Sequence, residues 1–357
     1  MTPEPPSPPA RVRSGRRRLL DVLSLVVVVA VFGFVLPRII DYREVGSVLA
    51  GLGAVAIVAL LALAVWNLVT YWLLTTAVLP HLSLRHAAAA NLASTAVSNT
   101  MPAGAALGIG LTWRMFASWG VSAEQFALYS LVSGVWNQFV KLGMPLLALG
   151  LLALSGGAAA GLVTAAVIGG AVLAAALVAF GLVLRGDDLA ARVGRLLQRA
   201  LAGPARLFHR PPPTRIAAGL VAFRADAAGT LQRRGLWITV TTVVSHLTLW
   251  LTLLACLRAC GIGEDEVSWQ RTLAAFAFVR LLTALPITPG GLGVVELGLT
   301  GALAAGLAGD GASRVAAAVL LFRALTYALP IPLGFLALVW WRADAARRRP
   351  GVVRVGA

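Results

Sequence analysis

Apolar residues in this chain form long uninterrupted runs, and six of these runs are long enough to cross a bilayer, which takes about 20 residues. We predict membrane spans at residues 19–36, 48–79, 124–154, 159–184, 236–257 and 314–341. The first run follows an arginine cluster, as in a signal peptide. Because no clear small-residue cleavage site precedes Pro37, an uncleaved span fits better. The run at 48–79 exceeds the length of a span, so we expect it to tilt or to project beyond the bilayer.

Two further apolar segments, residues 85–119 and 270–308, are interrupted near their centres by proline and glycine. The interrupting residues are Pro102 and Gly104 in the first segment and Pro289, Gly290, Gly291 and Gly293 in the second. The arms on either side are shorter than or barely equal to a span, which favours two re-entrant helical hairpins. A segment whose two arms each crossed the membrane completely would also return to its starting side. The number of crossings therefore does not separate the two interpretations, and the hairpin interpretation rests on arm length and on the central breaks.

Arginine is concentrated in three places that flank the apolar runs. These are the tail at residues 1–18, the loop at 185–235 with its amphipathic pattern, and the tail at 342–357. By the positive-inside rule all three are cytoplasmic, and the acidic stretch from Glu264 to Glu266 then lies outside. We therefore predict a multi-pass protein of the plasma (inner) membrane with both termini in the cytoplasm.

An internal repeat relates the two apolar halves, residues 19–184 and 236–341. Shifting the sequence by 187 positions aligns the two hairpin breaks and, 43 residues further on, Pro145 with Pro332. The parity of crossings gives the halves opposite orientations in the membrane. Inverted repeats with interrupted helices are typical of secondary transporters, whose binding site lies where the interrupted helices meet.

Composition excludes several classes of protein. With 59% hydrophobic and only 12% charged residues, the chain cannot solvate the surface of a water-soluble enzyme. The net charge of +16 is carried by arginines at the edges of apolar runs, which indicates contact with anionic lipids rather than nucleic acid. The histidines and the two cysteines form no metal-binding or disulfide pattern. We predict an all-α polytopic membrane fold with no cofactor.

Two of the ionisable residues within apolar segments stand out, because such groups are rare there and usually functional. Glu296 follows the second hairpin break; it either stabilises the start of a helix or acts as an intramembrane acid, and we favour the second role. Lys141 lies mid-span, one turn after Asn137, and is the only lysine in the chain. It either hydrogen-bonds to nearby carbonyls or binds a phosphate, and we favour phosphate binding.

Three arginines and a tyrosine complete the candidate transport site. Arg280 lies in the second hairpin and Arg323 in the last span, with Tyr327 one turn later. Either arginine could pair with Glu296 or with another acid for structural reasons, or bind a lipid head group, and the sequence does not separate these roles. Arg114, near the end of the first hairpin, fits an anchor at the cytoplasmic interface or a head-group contact.

These motifs resemble the flippase-like transmembrane domain family of lysylphosphatidylglycerol synthases. The resemblance rests on the block Pro286–Glu296, with Gly298 beyond it, and on the earlier block Asn99–Gly104 leading to Arg114. Where the family often carries a Gly-Glu pair, this chain has Leu107-Gly108-Ile109. The resemblance implies a membrane domain that binds lipids with charged head groups and moves them between leaflets. No hydrophilic synthetase domain follows Trp341, so we do not expect lipid aminoacylation.

We therefore expect a flippase-like protein that translocates an anionic or polyprenyl-linked lipid, with membrane lipids as its partners. Two alternatives belong to other classes. One is an integral-membrane transferase that acts on a lipid carrier with Glu296 as general base. The other is a membrane scaffold whose 185–235 loop recruits a partner.

Overall fold

The computed structural model describes residues 42–101, 104–154, 160–188, 216–283 and 289–348, with a few positions between 191 and 199. These ranges contain helices and no strand. The helices, numbered in chain order, are α1 (Tyr42–Ala50), α2 (Ala54–Val78), α3 (Leu84–Thr100), α4 (Gly104–Ser118), α5 (Ala123–Leu154), α6 (Ala160–Arg185), α7 (Ile216–Ala259), α8 (Trp269–Leu282), α9 (Val294–Ala304), α10 (Gly311–Arg323) and α11 (Pro330–Arg348). A 3-10 turn at Pro289–Gly291 precedes α9, and a π-helical turn at Ala324–Ala328 joins α10 to α11.

Helices long and apolar enough to cross a membrane occur in both halves of the sequence. Four stretches meet both criteria: Ala54–Val78, Ala123–Leu152, Phe223–Ala259 and Gly311–Asp344. Val167–Leu182 is a shorter apolar stretch within α6. The predicted all-α polytopic membrane fold is thereby confirmed. The predicted first span, 19–36, the tail at 1–18 and most of the amphipathic part of the 185–235 loop lie outside the described residues.

Two predicted boundaries differ from the observed helices. The run predicted as one span at 48–79 is divided at residues 51–53, where Gly51 and Gly53 raise the entropic cost of continuing a helix. The predicted loop boundary at residue 235 falls inside α7. This helix begins earlier because Phe223, Ala227 and Leu231 recur at helical spacing and pack against apolar residues of α2 and α5.

Small residues shape the first helix pair, α3 and α4. Five alanines of α3 are buried: Ala87, Ala89, Ala90, Ala93 and Ala96. Gly334 of α11 lies so close to α3 that an added Cβ would come within 2.2 Å of the Leu92 carbonyl oxygen. Since apolar side chains gain little by leaving lipid, close contact between small residues is the usual way for membrane helices to associate.

Helix packing between the two halves is reciprocal. The 187-residue offset relates α3 to α8, and relates α5 to the α10–α11 segment. In the structure α3 packs against α11, and α8 packs against α5. The first arm of each helix pair thus contacts the long helical segment that follows the other pair. The opposite membrane orientations and the re-entrant path of the hairpins stay predictions.

The loop between α7 and α8 is held by two arginines. Arg258 contacts Glu264 and donates to the carbonyls of Ile262, Gly263 and Val267. Arg314 of α10 lies 2.7 Å from Glu266 and donates to the Gly261 carbonyl. The acidic stretch predicted to lie outside the membrane is therefore tied to the start of α10.

Candidate functional site: a cationic cavity between the two halves

The second helix pair is broken by a turn that only glycine accommodates easily. Gly290, Gly291 and Gly293 have φ of 59°, 70° and 82°, in the left-handed region that other residues rarely adopt. Helix α9 begins directly afterwards at Val294. Its first backbone N–H groups have no partner within the helix, so the break creates a local requirement for an acceptor.

Glu296 supplies that acceptor in the first turn of α9. Its Oε2 accepts a hydrogen bond of 2.7 Å from the backbone N–H of Gly293, and its Oε1 lies 2.7 Å from Nε of Arg323. The Glu296 side chain is only 2% exposed and that of Arg323 13%. In this conformation Glu296 stabilises a helix start and pairs with Arg323, which is the structural role; its action as an intramembrane acid stays a prediction.

Arg323 joins three parts of the second half. Besides Glu296, its Nη2 donates to the Gly290 carbonyl over 3.0 Å. Its guanidinium also lies 4.4 Å from the centre of the Tyr327 ring, a cation–π contact. Arg280 and Arg323 were both predicted as possible partners of Glu296, and Arg323 is the one that forms the ion pair.

Tyr327 connects the second half to the first. Its hydroxyl donates to the Asn99 carbonyl over 2.7 Å, and the Asn99 amide donates to the Tyr327 carbonyl over 3.3 Å. Tyr327 lies in the π-helical turn, a distortion that is common at functional sites. A Cβ on Gly290 would lie 2.2 Å from Cε2 of Tyr327, so the end of α3, the π turn and the glycine break meet at one point.

Beside this junction lies a cavity of about 300 Å³ between the two halves. Helices α2, α3, α7, α8, α9, α10 and α11 and the π turn all contribute to its wall. The polar lining includes Asn67, Tyr71, Asn91, Thr95, Arg280 and Arg323. A cavity with polar groups at the meeting point of interrupted helices is the geometry expected for a ligand site in a transporter.

Two cations at this site lack an anionic partner. Arg280 lines the cavity, and its Nε is buried without a hydrogen-bond partner. Lys141 does not line the cavity; it lies on α5, which packs against α8, the helix that carries Arg280, and the two positive charges repel each other. Within the described part of the chain neither side chain belongs to an ion pair. The arrangement therefore has positive charge for which the described protein residues provide no counter-ion.

Lys141 lies one turn before a proline within the continuous helix α5. Pro145 is inside this 32-residue helix and has no N–H, so the Lys141 carbonyl cannot receive the usual helical hydrogen bond from position 145. The 187-residue sequence offset aligns Lys141 with Ala328, the last residue of the π turn. Both halves therefore depart from regular α-helical hydrogen bonding at corresponding positions, through Pro145 in the first and the π turn in the second.

The remaining predicted site residues are not all brought together. Arg114 is exposed and does not line the cavity, which fits the interface-anchor role. Gly104 lies where a Cβ would come within 2.3 Å of the Ser98 carbonyl oxygen, so it allows α3 and α4 to meet closely. Pro102 lies outside the described residues. Asn137 lies one turn before Lys141, and its Oδ1 is buried without a partner.

One ionisable residue near the two cations, His246 of α7, was not predicted as a site residue; it does not itself line the cavity. It is 1% exposed and interacts electrostatically with both Arg280 and Lys141. Its position inside the predicted span at 236–257 was a usable signal, because ionisable residues are rare at membrane depth.

These observations define a multi-pass α-helical membrane protein with a positively charged cavity between the two halves of its sequence. Over residues 21–334 the sequence matches the family described as the lysylphosphatidylglycerol synthase TM region. The chain belongs to this family, and the resemblance noted from the hairpin blocks is confirmed. No curated protein matched the sequence in a direct comparison.

Proposed function

We propose that this protein binds the anionic head group of a membrane lipid in the cavity and moves that lipid between leaflets. The lipid is a phospholipid or a polyprenyl-linked phosphate. The match to the transmembrane region of a lipid-modifying synthase supports a role in lipid handling. It also favours transport over aminoacylation, because the matched region is the membrane part of those proteins.

The observation that carries the proposal is the pair of unpartnered cations, Lys141 and Arg280. Burying a charge without a partner is costly, and neighbouring like charges add to that cost. A protein that served only as a scaffold would gain stability by replacing either residue with an apolar one. A phosphate bound between the two cations would neutralise them and would accept hydrogen bonds from both.

The junction around Tyr327 is where movement would occur. A head group must be reached from each leaflet in turn, so some contacts across the cavity must open and close. The hydrogen bonds between Asn99 and Tyr327 join the two halves, and the left-handed glycines beside them can change conformation more easily than other residues. We assign the opening to this junction and the binding to Lys141 and Arg280.

The test is translocation of a fluorescent anionic phospholipid in liposomes that contain the purified protein. Lys141→Ala and Arg280→Ala should each lower the rate at least fivefold, with folding retained. Lys141→Arg should restore only part of the activity, because a planar guanidinium presents its charge differently from an ammonium. The matched control is Arg234→Ala, which removes an exposed positive charge from α7 away from the cavity and should leave the rate unchanged.

Unchanged lipid movement in Lys141→Ala and Arg280→Ala, with both proteins correctly inserted, would contradict the proposed site. If the wild type modified the lipid chemically and did not move it between leaflets, that result would support a membrane transferase. Retention of all cellular activity after replacement of these cations, but loss after removal of residues 186–215 between α6 and α7, would support a scaffold.

A further inference from the structure

His246 of α7 has one ring nitrogen that can take up a proton. Its Nδ1 lies 3.0 Å from the Thr242 carbonyl oxygen, which can only accept, so Nδ1 carries the proton of the neutral imidazole. Nε2 then presents a lone pair, and this atom is buried without a hydrogen-bond partner in the described part of the chain. A proton added at Nε2 leaves the Nδ1–H donating to Thr242, so protonation breaks no existing contact.

Two positive charges act on this histidine from neighbouring helices. Helix α7 packs against α2, α5, α6, α8 and α10. Lys141 on α5 and Arg280 on α8 both interact electrostatically with His246. The titratable residues on the five neighbouring helices are Tyr71 on α2, Glu124, Tyr129 and Lys141 on α5, Arg185 on α6, Arg271 and Arg280 on α8, and Arg314 and Arg323 on α10.

The remaining charged residues of this set are paired or lie at helix ends. Arg314 and Arg323 belong to ion pairs. Glu124 and Arg271 lie in the first turns of α5 and α8, and Arg185 ends α6. The electric field at the imidazole therefore comes mainly from the two cations on α5 and α8.

A bound anion would change the charge that His246 can carry. Repulsion from the two cations keeps the imidazole neutral when no anion is bound to them. A phosphodiester held by Lys141 and Arg280 supplies a negative charge, which offsets part of this repulsion and favours protonation of Nε2. Linkage is reciprocal, so a protonated His246 must also strengthen the binding of the anion.

His246 is separate from the surface that a head group would touch. It does not line the cavity, whereas Leu249, one turn further along α7, does. Two other buried polar atoms, Oγ of Ser245 and Oδ1 of Asn137 on α5, also lack a partner among the described residues. Such atoms normally bind water, which can deliver a proton. His246 would thus act through its charge, without contact with the lipid.

We propose that His246 is a coupling-ion site: it binds one proton when Lys141 and Arg280 bind the anionic head group, and the lipid and the proton cross together. This inference rests on the proposed function, since it requires the anion to be bound by the two cations. A phosphodiester carries one negative charge and the proton one positive charge, so the transported pair is electroneutral. Transport should therefore respond to a pH gradient and not to the membrane potential.

The test measures how a trace of fluorescent phosphatidylglycerol distributes at steady state between the leaflets of liposomes that contain the full chain. A gradient of about one pH unit should enrich the probe about tenfold in the leaflet that faces the alkaline side, because each lipid is driven by one proton. A potassium diffusion potential at equal pH should give no enrichment. Protein-free liposomes give the background redistribution, which is subtracted.

Variants then identify the group that carries the proton. His246→Phe should distribute the probe equally between the leaflets under the same pH gradient. His246→Gln keeps a polar side chain that does not titrate and should behave in the same way, so it decides the question if His246→Phe fails to fold. His81→Gln is the matched control: it removes an exposed histidine between α2 and α3 and should keep the tenfold enrichment. Lys141→Arg keeps a permanent cation, so it should slow transport and keep the steady-state enrichment.

The possible results separate this inference from the proposed function. Lipid movement without enrichment under the pH gradient would overturn proton coupling and leave lipid translocation standing, and so would enrichment that follows the membrane potential. Absence of lipid movement would overturn both proposals. Enrichment that survives both His246 variants would overturn the role of His246, and its loss in Lys141→Arg would then assign the proton to Lys141.

Discussion

Neutralising Glu296 should destabilise the protein more than neutralising any exposed acid. Glu296→Gln keeps the size of the side chain but leaves a single carbonyl oxygen for two donors, the Gly293 N–H and the Arg323 guanidinium. It also leaves the Arg323 charge uncompensated in a place where its side chain is 13% exposed. Removing one partner of a buried ion pair typically costs about 3 to 5 kcal/mol, and we expect a loss of that size.

The pairing itself is measured by a double-mutant cycle. Arg323→Gln should also be destabilising, and the double variant Glu296→Gln/Arg323→Gln should recover part of the summed loss, since neither charge is then left alone. The free energy of unfolding is followed by titration with sodium dodecyl sulfate, using tryptophan fluorescence. Arg280→Gln is the matched control: it removes a neighbouring arginine that has no ion pair, so it should show no coupling to Glu296.

Strictly additive effects of Glu296→Gln and Arg323→Gln would refute this reasoning. Glu296 would then gain nothing from Arg323 beyond what water or lipid provides. Coupling to Arg280 in place of Arg323 would mean that the ion pair described here is not the dominant one in the membrane.

Three further predictions concern backbone contacts and pH. Gly334→Ala should destabilise by about 1 to 3 kcal/mol through its clash with the Leu92 carbonyl, whereas Gly150→Ala, which meets nothing within 4 Å, should not. Gly290→Val should block lipid translocation, because it combines a φ of 59° with a clash against Tyr327; normal transport would contradict the assigned junction. Hydrogen bonds from the Gly263 N–H and then from Arg314 lower the pKa of Glu266 in the folded protein. The ionised Glu266 should therefore stabilise the fold at pH values above its unfolded pKa, and this stabilisation should be lost as the pH falls through its folded pKa. Thermal unfolding of Glu266→Gln should lack this pH-dependent component.

Much of the fold can be predicted from hydropathy because the bilayer restricts the backbone to a few conformations. Backbone polar groups must be satisfied internally at membrane depth, so long apolar runs become helices, as in α5 and the Gly311–Asp344 segment. Helix boundaries depend on packing and are less predictable. The extension of α7 to Ile216 reflects contacts of Phe223 and Leu231 that appear only when α2 and α5 are in place.

The charged members of the site could be found from the sequence, but their pairing could not. Lys141, Arg280, Glu296 and Arg323 stand out because ionisable residues are rare in spans. Which arginine meets Glu296 depends on the rotation of α10 relative to α9, and sequence distance gives no information on that angle. The contact between Asn99 and Tyr327 joins residues 228 apart, and Asn99 is one of several polar residues in α3 that the sequence treats alike.

The two reciprocal helix contacts between the halves differ in the polar residues that they carry. Helix α5 packs against α8, and α11 packs against α3, so the molecule has two helix contacts at positions related by the 187-residue offset. Only the first carries the free cations: under the 187-residue offset the counterparts of Lys141 and Arg280 are Ala328 and Ala93. The second contact carries the Asn99–Tyr327 hydrogen bonds instead. Because an anion is attracted to one contact and the halves are fastened at the other, binding and opening are assigned to different residues and can be altered separately by mutation.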